Sequence, residues 1–533
     1  MPNFSTRTSI TILLVLVSCA STSTQVDQEQ SLIFEATISQ VQSAILNFEV
    51  TCEDIVRAHV RRIATYDQKM SLNAITRVNR YAVDQARAVD RKIMRGNSLG
   101  SLFCVPVLIK DNIDVAGLET TGGSVALKGL VVNKDATIVR RLLDADAVIL
   151  AKTNMAEWAI SQSQTLSSTH GATANAYELD RVPGGSSGGT ASGVAASFGI
   201  VGIGTDTGSS VRGPASHLAL FGLRPTLGLV SRAGILPLAA DRDTAGPMAR
   251  TVGDGARLLS VIAGRDRDDD YTDAIPAGMD LDFAKHLRKD GLSGKRIGVV
   301  LALTESEDAD PQILHLFETA LEDMEKRGAI IVSPVNIRNF QHHTSGNGYF
   351  CPRFNFDVNR YLSARDRPVD IDIDELLSTQ AHAADPVLVD VLSMFSNFPS
   401  DVKPDRWTVP CAEFNQHEGR LALRKDVLHS MDAANVDVLA FPTWLKPPAT
   451  MSKANEDYGG DNNFWFVPGA GLPAATVPMG WGSSGLPAGM QLVGRPFADA
   501  VVIEIAYAYE AATTHRRPPT NFPVVLSPIE GSL

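Results

Sequence analysis

Two stretches of small residues, 183–189 and 204–214, most constrain how this chain folds. The first reads Pro-Gly-Gly-Ser-Ser-Gly-Gly, and the second combines three glycines with two adjacent serines. Glycine destabilises a helix or strand by roughly 0.5–1 kcal/mol relative to alanine, so packing alone does not favour such runs. They indicate loops in which the backbone takes unusual angles or lies against a ligand. The hydroxyl groups of Ser186 and Ser210 are therefore candidates for chemistry.

A lysine at the end of an apolar run supplies a possible base. The residues from Val105 to Ile109 form a β-type run that ends at Lys110. Desolvation in such a place lowers the pKa of a lysine from about 10.4 towards neutrality. A neutral amine can activate a serine hydroxyl, which is a weak nucleophile at neutral pH. The alternative is a structural ion pair between Lys110 and Asp111 or Asp114.

Taken in order, these and other motifs resemble those of the amidase signature family. The matching segments are 105–112, 152–158, 183–189, 204–214, 222–226, 245–248, 471–474 and 485–494. They cover most of the chain, from about residue 35 to about residue 515. The resemblance implies a large mixed sheet flanked by helices, and the alternation of β and α patterns agrees with it. We therefore expect an α/β fold, a single three-layer α/β/α domain with a mixed β-sheet core.

The resemblance implies a Ser–cisSer–Lys triad. Carried over by motif, Ser210 is the nucleophile, Ser186 the bridging cis-serine and Lys110 the base. The implied reaction is amide hydrolysis to an acid and an amine or ammonia through an acyl-enzyme, without a cofactor. The chain has no H-x-x-H or C-x-x-C spacing, so we also expect no metal site.

The resemblance also implies an oxyanion hole. Its donors are the backbone N–H groups of Thr207, Gly208, Ser209 and Ser210, because successive amides in a tight turn form an anion-binding concavity. The family usually has glycine where this chain has Ser209. A Cβ at that position adds strain if the backbone needs a positive φ.

Five further residues are expected to shape the site rather than to react. Ser187 is interpreted as a supporting turn hydroxyl, and Asp206 as an acceptor of hydrogen bonds. Arg212 is expected to hold a carboxylate, either of the protein or of the substrate. Asn154 and Met155 are expected at the start of a helix.

The sequence says less about the substrate pocket than about the catalytic residues. Residues 335–415 show weak periodicity and several aromatics, and we predict that they form a variable region covering the pocket. Trp444, Phe464, Trp465 and Phe466 flank family motifs and are candidates for its lining. Several aromatics together favour a small-molecule amide substrate with an apolar or aromatic part.

Two other functions stay open. Residues 184–188 also fit G-x-S-x-G, the nucleophile elbow of α/β-hydrolases, with Ser186 as the nucleophile of an esterase. Against this, residues 175–182 look like a loop rather than a strand, and His170 is the only histidine between Cys104 and Arg212. The departure at position 209 keeps open a catalytically silent binding protein on the same fold.

The N-terminus predicts export. Arg7 precedes an apolar stretch, 10–17, that small residues follow, which is typical of a signal peptide and too short to span a membrane. Residues 16–19, Leu-Val-Ser-Cys, resemble a bacterial lipobox. We predict a lipoprotein signal at 1–19, a polar tether at 20–34 and the catalytic domain at 35–523, while cleavage after Ala20 remains the alternative. The expected location is periplasmic or membrane-anchored in a bacterium, and secreted otherwise.

The net charge limits which partners the protein is expected to have, and the cysteine content bears on whether disulfides form. The net charge is −12 and no basic cluster is present, so a nucleic-acid partner is not expected, and membrane contact is expected only through a lipid on Cys19. Cys104 is interpreted as a small buried apolar residue. Cys351 and Cys411 either pair with each other under oxidising conditions, or all four cysteines that follow Cys19 remain free thiols.

Overall fold

The computed structural model describes residues 31–345, 349–365, 370–408 and 411–525. The strands in chain order are β1 Ile75–Val78, β2 Pro106–Lys110, β3 Val148–Thr153, β4 Leu166–Ser167, β5 Gly171–Ala172, β6 Val201–Asp206, β7 Phe221–Arg224, β8 Thr244–Ala249, β9 Arg296–Val299, β10 Ile330–Val332, β11 Val438–Pro442, β12 Ala474–Trp481 and β13 Pro487–Val493. The α-helices are α1 Ile38–Leu46, α2 Cys52–Tyr66, α3 Ala82–Met94, α4 Thr137–Asp144, α5 Gly188–Ala195, α6 Arg212–His217, α7 Val252–Ile262, α8 Pro311–Lys326, α9 Phe340–Thr344, α10 Phe354–Ser363, α11 Ile373–Ser378, α12 Pro386–Phe395, α13 Glu418–Ala433, α14 Phe466–Ala470 and α15 Asp499–Thr513.

Within the described residues, eleven strands form one mixed sheet with helices packed against it. Their order is β1-β3-β2-β6-β8-β7-β12-β13-β11-β9-β10. Strand β2 is parallel to both of its neighbours, β3 and β6, whereas β6 pairs antiparallel with β8. The expected single α/β domain with a mixed sheet is thus confirmed.

The centre of the sheet is closed to solvent on both faces. Every residue of β2, β3 and β6 is buried, as in parallel sheets that helices cover on both sides. Helix α5 lies close to β2 and β6 because its residues are small. A Cβ at Gly193 lies 2.8 Å from the Leu108 side chain, and one at Gly202 lies 2.5 Å from that of Thr190. This packing holds the serine loop at the start of α5 against the edge where β2 and β6 end.

Two local predictions are wrong. The composition of residues 72–95, rich in alanine and arginine, predicts a single helix, but this segment contains the strand β1, which pairs with β3, and only then α3. Residues 154–157 do not begin an α-helix. The side chain of Asn154 accepts from the backbone N–H of Met155 and donates to the carbonyl of Gly171 at 3.0 Å each. Such local side-chain bonds compete with helix formation.

The four cysteines in the described ranges form two disulfides, Cys52–Cys104 and Cys351–Cys411. Cys104 is fully buried in the core, as predicted, but its disulfide with Cys52 was not foreseen. The first bridge joins α2 to the segment that leads into β2. The second closes most of the region 335–415, which contains the helices α9 to α12.

None of the helices in the described part is both long and apolar enough to cross a lipid bilayer. The predicted signal at 1–19 and most of the predicted tether lie outside the described residues, so these remain predictions.

Candidate active site

Lys110 stands at the carboxyl end of β2, fully buried, beside two hydroxyl groups. Its Nζ donates to Ser186 Oγ at 2.8 Å and to Thr205 Oγ1 at 2.9 Å. The structure therefore brings together the lysine and one serine of the predicted triad, which are 76 positions apart in the chain. A structural ion pair with Asp111 or Asp114 is not what holds this lysine. Asp111 and Asp114 contact Lys152 and Arg365 respectively instead.

Burial lowers the pKa of Lys110 to about 7, although the carboxylates of Asp206 and Asp243 oppose the shift. An amine with this pKa is about half unprotonated at pH 7. A general base is most effective when its pKa lies near the operating pH. Lys110 thus has both the contact and the protonation behaviour that a base for serine needs.

The loop around Ser186 is held by backbone bonds on both sides. The Gly185–Ser186 peptide bond is cis. The Gly185 N–H donates to the carbonyl of Gln162 at 2.8 Å, and the Ser186 carbonyl accepts from the N–H of Ala156 at 3.0 Å. These bonds fix Ser186, which is fully buried, between the end of β3 and the start of α5.

Thr205 and Asn112 complete the surroundings of the lysine, and neither was predicted from the sequence. The Thr205 hydroxyl accepts from Asn112 Nδ2 at 3.1 Å as well as from Lys110. The predicted site residue Ser187 donates to the Thr205 carbonyl at 3.3 Å. The signal was present: Lys110 and Thr205 end two apolar runs, and the carboxyl ends of neighbouring parallel strands meet at one edge of a sheet.

The loop that follows β6 carries the predicted nucleophile and oxyanion hole. Within the described part of the chain, the N–H groups of residues 207–210 donate to no other protein group. The next amide, that of Val211, donates to the Asp206 carboxylate at 3.2 Å. Ser210 and Gly208 line a cavity, and unpaired amides beside a cavity are available to a developing oxyanion.

A buried ion cluster holds this loop from behind. Asp206 forms ion pairs with Arg212 at 3.1 Å and Arg224 at 3.0 Å, and all three side chains are fully buried. Burial alone raises the pKa of Asp206, but the two guanidinium charges outweigh it and hold the pKa well below its usual range. Arg212 also donates to the carbonyl of Gly208 at 2.5 Å and to the side chain of Gln491. The carboxylate that Arg212 binds is therefore the protein's own.

Ser209 does not distort the loop. It is not among the described residues with a positive φ, so its Cβ adds no left-handed strain. Its hydroxyl is buried and has no hydrogen-bond partner in the described chain. The departure from glycine at this position is thus compatible with the geometry of the loop.

The cavity in front of Ser210 has a volume of about 240 Å³ and is lined mostly by apolar side chains. Its lining comprises Ala159, Ile160, Gln162, Thr207, Gly208, Ser210, Leu238, Phe350, Val387, Val391, Met394, Phe395, Phe464 and Trp465. Lys110 and Ser186 do not line it. This order of exposure agrees with Ser210 as the group that meets the substrate.

One face of α12 forms a wall of the cavity. Val387, Val391 and Phe395 recur every four residues, with Met394 beside them, and all four line the space. This stripe was not predicted from the sequence, although it has helical spacing. Among the aromatics of the region 335–415, Phe350 and Phe395 line the cavity.

The four aromatics predicted near the C-terminal motifs have different places. Phe464 and Trp465 line the cavity. Trp444 stacks on His217 with ring centroids 4.6 Å apart, and Phe466 is buried against Phe441 at 6.0 Å. Of the predicted helix start after β3, Met155 is buried in an apolar cluster and Asn154 bonds to the neighbouring backbone.

Gly208 offers a direct test of the loop. A Cβ at this position lies 2.3 Å from Cδ2 of Phe464, so Gly208→Ala forces either the ring or the loop to move. We expect kcat/KM to fall about 10- to 100-fold, because the displaced amides no longer match the oxyanion. The control is Gly253→Ala in α7, where a Cβ has no heavy atom nearer than 3.8 Å. Equal activity of the two variants in an amide-hydrolysis assay contradicts this role of the loop.

The elbow alternative finds no support in this geometry. Ser186 follows a loop rather than a strand and lies fully buried, whereas an elbow places its serine exposed at the end of a strand. No group of three or more His, Cys, Asp or Glu side chains suited to hold a metal occurs in the described ranges.

Comparison with known proteins gives a consistent picture. A protein-family model described as "Amidase" matches residues 54–503. The chain is 32% identical over 504 residues to the A subunit of glutamyl-tRNA(Gln) amidotransferase from Cyanothece sp., covering 91% of this chain and 99% of that one. The peptide amidase from Stenotrophomonas maltophilia superposes with a TM-score of 0.81 at 32% identity, covering 91% and 98%. A bacterial aryl acylamidase of the amidase signature enzymes family superposes with a TM-score of 0.73 at 25% identity, covering 90% and 97%.

Proposed function

Because this chain belongs to the amidase signature family and is an enzyme of the class that acts on carbon–nitrogen bonds, we propose that it hydrolyses linear carboxylic amides through an acyl-enzyme on Ser210. The observation that carries the proposal is the buried 2.8 Å contact between Lys110 Nζ and Ser186 Oγ. Lys110 also bonds to Thr205 of β6, the strand that leads into the loop bearing Ser210. A silent binding protein has no need of a desolvated base held against a serine hydroxyl.

In the proposed mechanism, Ser210 Oγ attacks the amide carbonyl. Its proton passes to Ser186 Oγ, whose own proton moves to the neutral amine of Lys110. The N–H groups of residues 207–210 bind the oxyanion, and the C–N bond breaks as the amine receives a proton by the reverse route. Water then attacks the acyl-enzyme with the same relay as base. Each well-placed oxyanion donor contributes about 2.7–4 kcal/mol.

The cavity supports an apolar or aromatic acyl group. Its walls are aliphatic and aromatic, and burial of such a group stabilises the bound state by roughly 25 cal/mol per Å² of apolar surface. The similarity to a peptide amidase and to an aryl acylamidase supports a small-molecule amide substrate of this kind. We propose that the chain cleaves such amides without a second protein.

We further propose that the enzyme is exported, as the sequence at 1–20 predicts. The two disulfides support this, because disulfides persist in oxidising compartments and are rare in the cytosol. They also favour a free-standing hydrolase over one component of a cytosolic amidotransferase. Cell fractionation of the full chain is the test, and recovery of the folded enzyme in the cytosol contradicts export.

Release of ammonia from a small panel of amides tests the proposed activity. We expect the purified protein to hydrolyse 3-phenylpropanamide, which carries an aromatic acyl part, faster than acetamide or free glutamine. The reason is that the apolar cavity binds the phenyl group. Mass spectrometry of the products identifies the acid. Absence of turnover on every amide, from protein shown to be folded, refutes the proposal.

A further inference from the structure

We propose that Gln162 is a specificity-determining residue that pairs with a second amide group in the acyl part of the substrate. The inference rests on the proposed amidase function and narrows its substrate class. It favours peptide-like amides, in which a secondary amide lies next to the carbonyl that Ser210 attacks, over simple aliphatic amides.

Gln162 is the side chain of the cavity wall that offers both a free donor and a free acceptor. Four lining residues have polar side-chain atoms, namely Gln162, Thr207, Ser210 and Trp465, and the indole of Trp465 can only donate. The Thr207 hydroxyl donates to Asp243 Oδ1 at 2.5 Å, and Ser210 is assigned to the reaction. The carboxamide of Gln162 has no hydrogen bond to another protein group within the described residues.

The position of Gln162 is fixed relative to the reacting serines. Its carbonyl accepts from the N–H of Gly185, the residue before Ser186. On the other side of the loop, Ser163 Oγ donates to Asn455 Oδ1 at 2.7 Å, and Gln164 Nε2 donates to Asp385 Oδ2 at 3.3 Å. These bonds fix the backbone from which the Gln162 side chain extends, on the same loop system that holds Ser186.

The chemistry of a carboxamide selects its partner. It offers one acceptor and a pair of donors, and a secondary amide offers the complementary N–H and C=O. The remaining walls are apolar, so they suit a side chain on the same acyl unit. A simple aliphatic amide fills the apolar walls but leaves Gln162 without a partner, and sites built to hydrogen-bond a substrate group discriminate against analogues that lack it.

The test compares two substrates that share a phenyl group and a terminal carboxamide. N-acetyl-L-phenylalaninamide carries the second amide, and 3-phenylpropanamide lacks it. For the wild type we expect kcat/KM to be at least about 10-fold higher for the first. In Gln162→Met, which keeps the side-chain length, we expect kcat/KM to fall about 10- to 100-fold for the first substrate and less than about 3-fold for the second.

Val391→Ala is the matched control, because it removes part of the apolar cavity wall against which the phenyl groups of both substrates are expected to pack. It is expected to lower kcat/KM for the two substrates by the same factor. If Gln162→Met changes both substrates equally or neither, the assignment of Gln162 is wrong. If the wild type hydrolyses the two substrates with nearly equal kcat/KM, the assignment of Gln162 is wrong as well, and no variant is needed to show it. Failure of the wild type to hydrolyse either compound refutes the proposed amidase function instead.

Discussion

Ser210→Ala is expected to lower kcat for amide hydrolysis by roughly 10⁴–10⁶-fold while leaving the fold intact. The variant removes the hydroxyl that meets the cavity, and Lys110 and Ser186 then have no nucleophile to activate. Ser210 is 3% exposed and lines the cavity, so we expect the loss of its hydroxyl to have little effect on stability. Ammonia release and thermal unfolding measure the two effects separately.

Ser186→Ala is the informative comparison for this result. It keeps the nucleophile but interrupts the relay to Lys110, so we expect a large loss of rate with a covalent adduct still forming on Ser210. Intact-mass analysis after reaction with a p-nitrophenyl ester detects that adduct. An adduct on Ser186, with activity retained in Ser210→Ala, is the outcome of the elbow mechanism and contradicts the assignment.

Lys110→Met is expected to lower kcat/KM by roughly 10²–10⁴-fold, the contribution of a general base. In the wild type, burial lowers the pKa of Lys110 to about 7, and the base must be unprotonated. We therefore expect kcat/KM for a neutral amide to rise with pH, to reach half its maximum near pH 7 and to level off above about pH 8. In Lys110→Met, kcat/KM is expected not to show this rise with pH. A wild-type profile that is flat from pH 5.5 to 9 contradicts the role of Lys110.

Stability gives a second readout of the same group. An unfolded lysine has a pKa of about 10.4, so between about pH 7 and pH 10 the unfolded chain binds a proton at residue 110 that the folded chain does not. The free energy of unfolding contributed by this residue therefore rises with pH across that window. Relative to the wild type, Lys110→Met is expected to be more stable at pH 6.5 than at pH 9.5, as measured by urea unfolding.

Much of the site follows from local sequence because its residues lie where elements end. Lys110 ends an apolar run, and the two serine motifs are dense in small residues that no core packing explains. Those features predicted the lysine and the two serines as candidates, whereas the oxyanion loop 207–210 was implied by the resemblance to the amidase signature family. Thr205 was equally placed at a strand end, but only the parallel register of β2 and β6 shows that it faces Lys110.

Other features depend on contacts between segments that are distant in the chain, so they could not be predicted from the sequence. The pairing of Cys52 with Cys104 requires α2 to pack beside the segment that leads into β2. The stripe at 387, 391 and 395 has helical spacing, but its role becomes visible only when α12 lies over Ser210. The helix expected at 154–157 does not form because the side chain of Asn154 bonds to Ser167 on β4 and to Gly171 on β5.

The 76 positions that separate Lys110 from Ser186 have a consequence for how this enzyme gains and loses activity. In the proposed mechanism, no fragment that ends before Ser210 carries the chemistry, since the base, the relay and the attacking hydroxyl reside in segments that join only when neighbouring strands align. Turnover is therefore a sensitive reporter of the intact molecule, and we expect proteolytic nicking between these segments to abolish it as soon as the pieces separate.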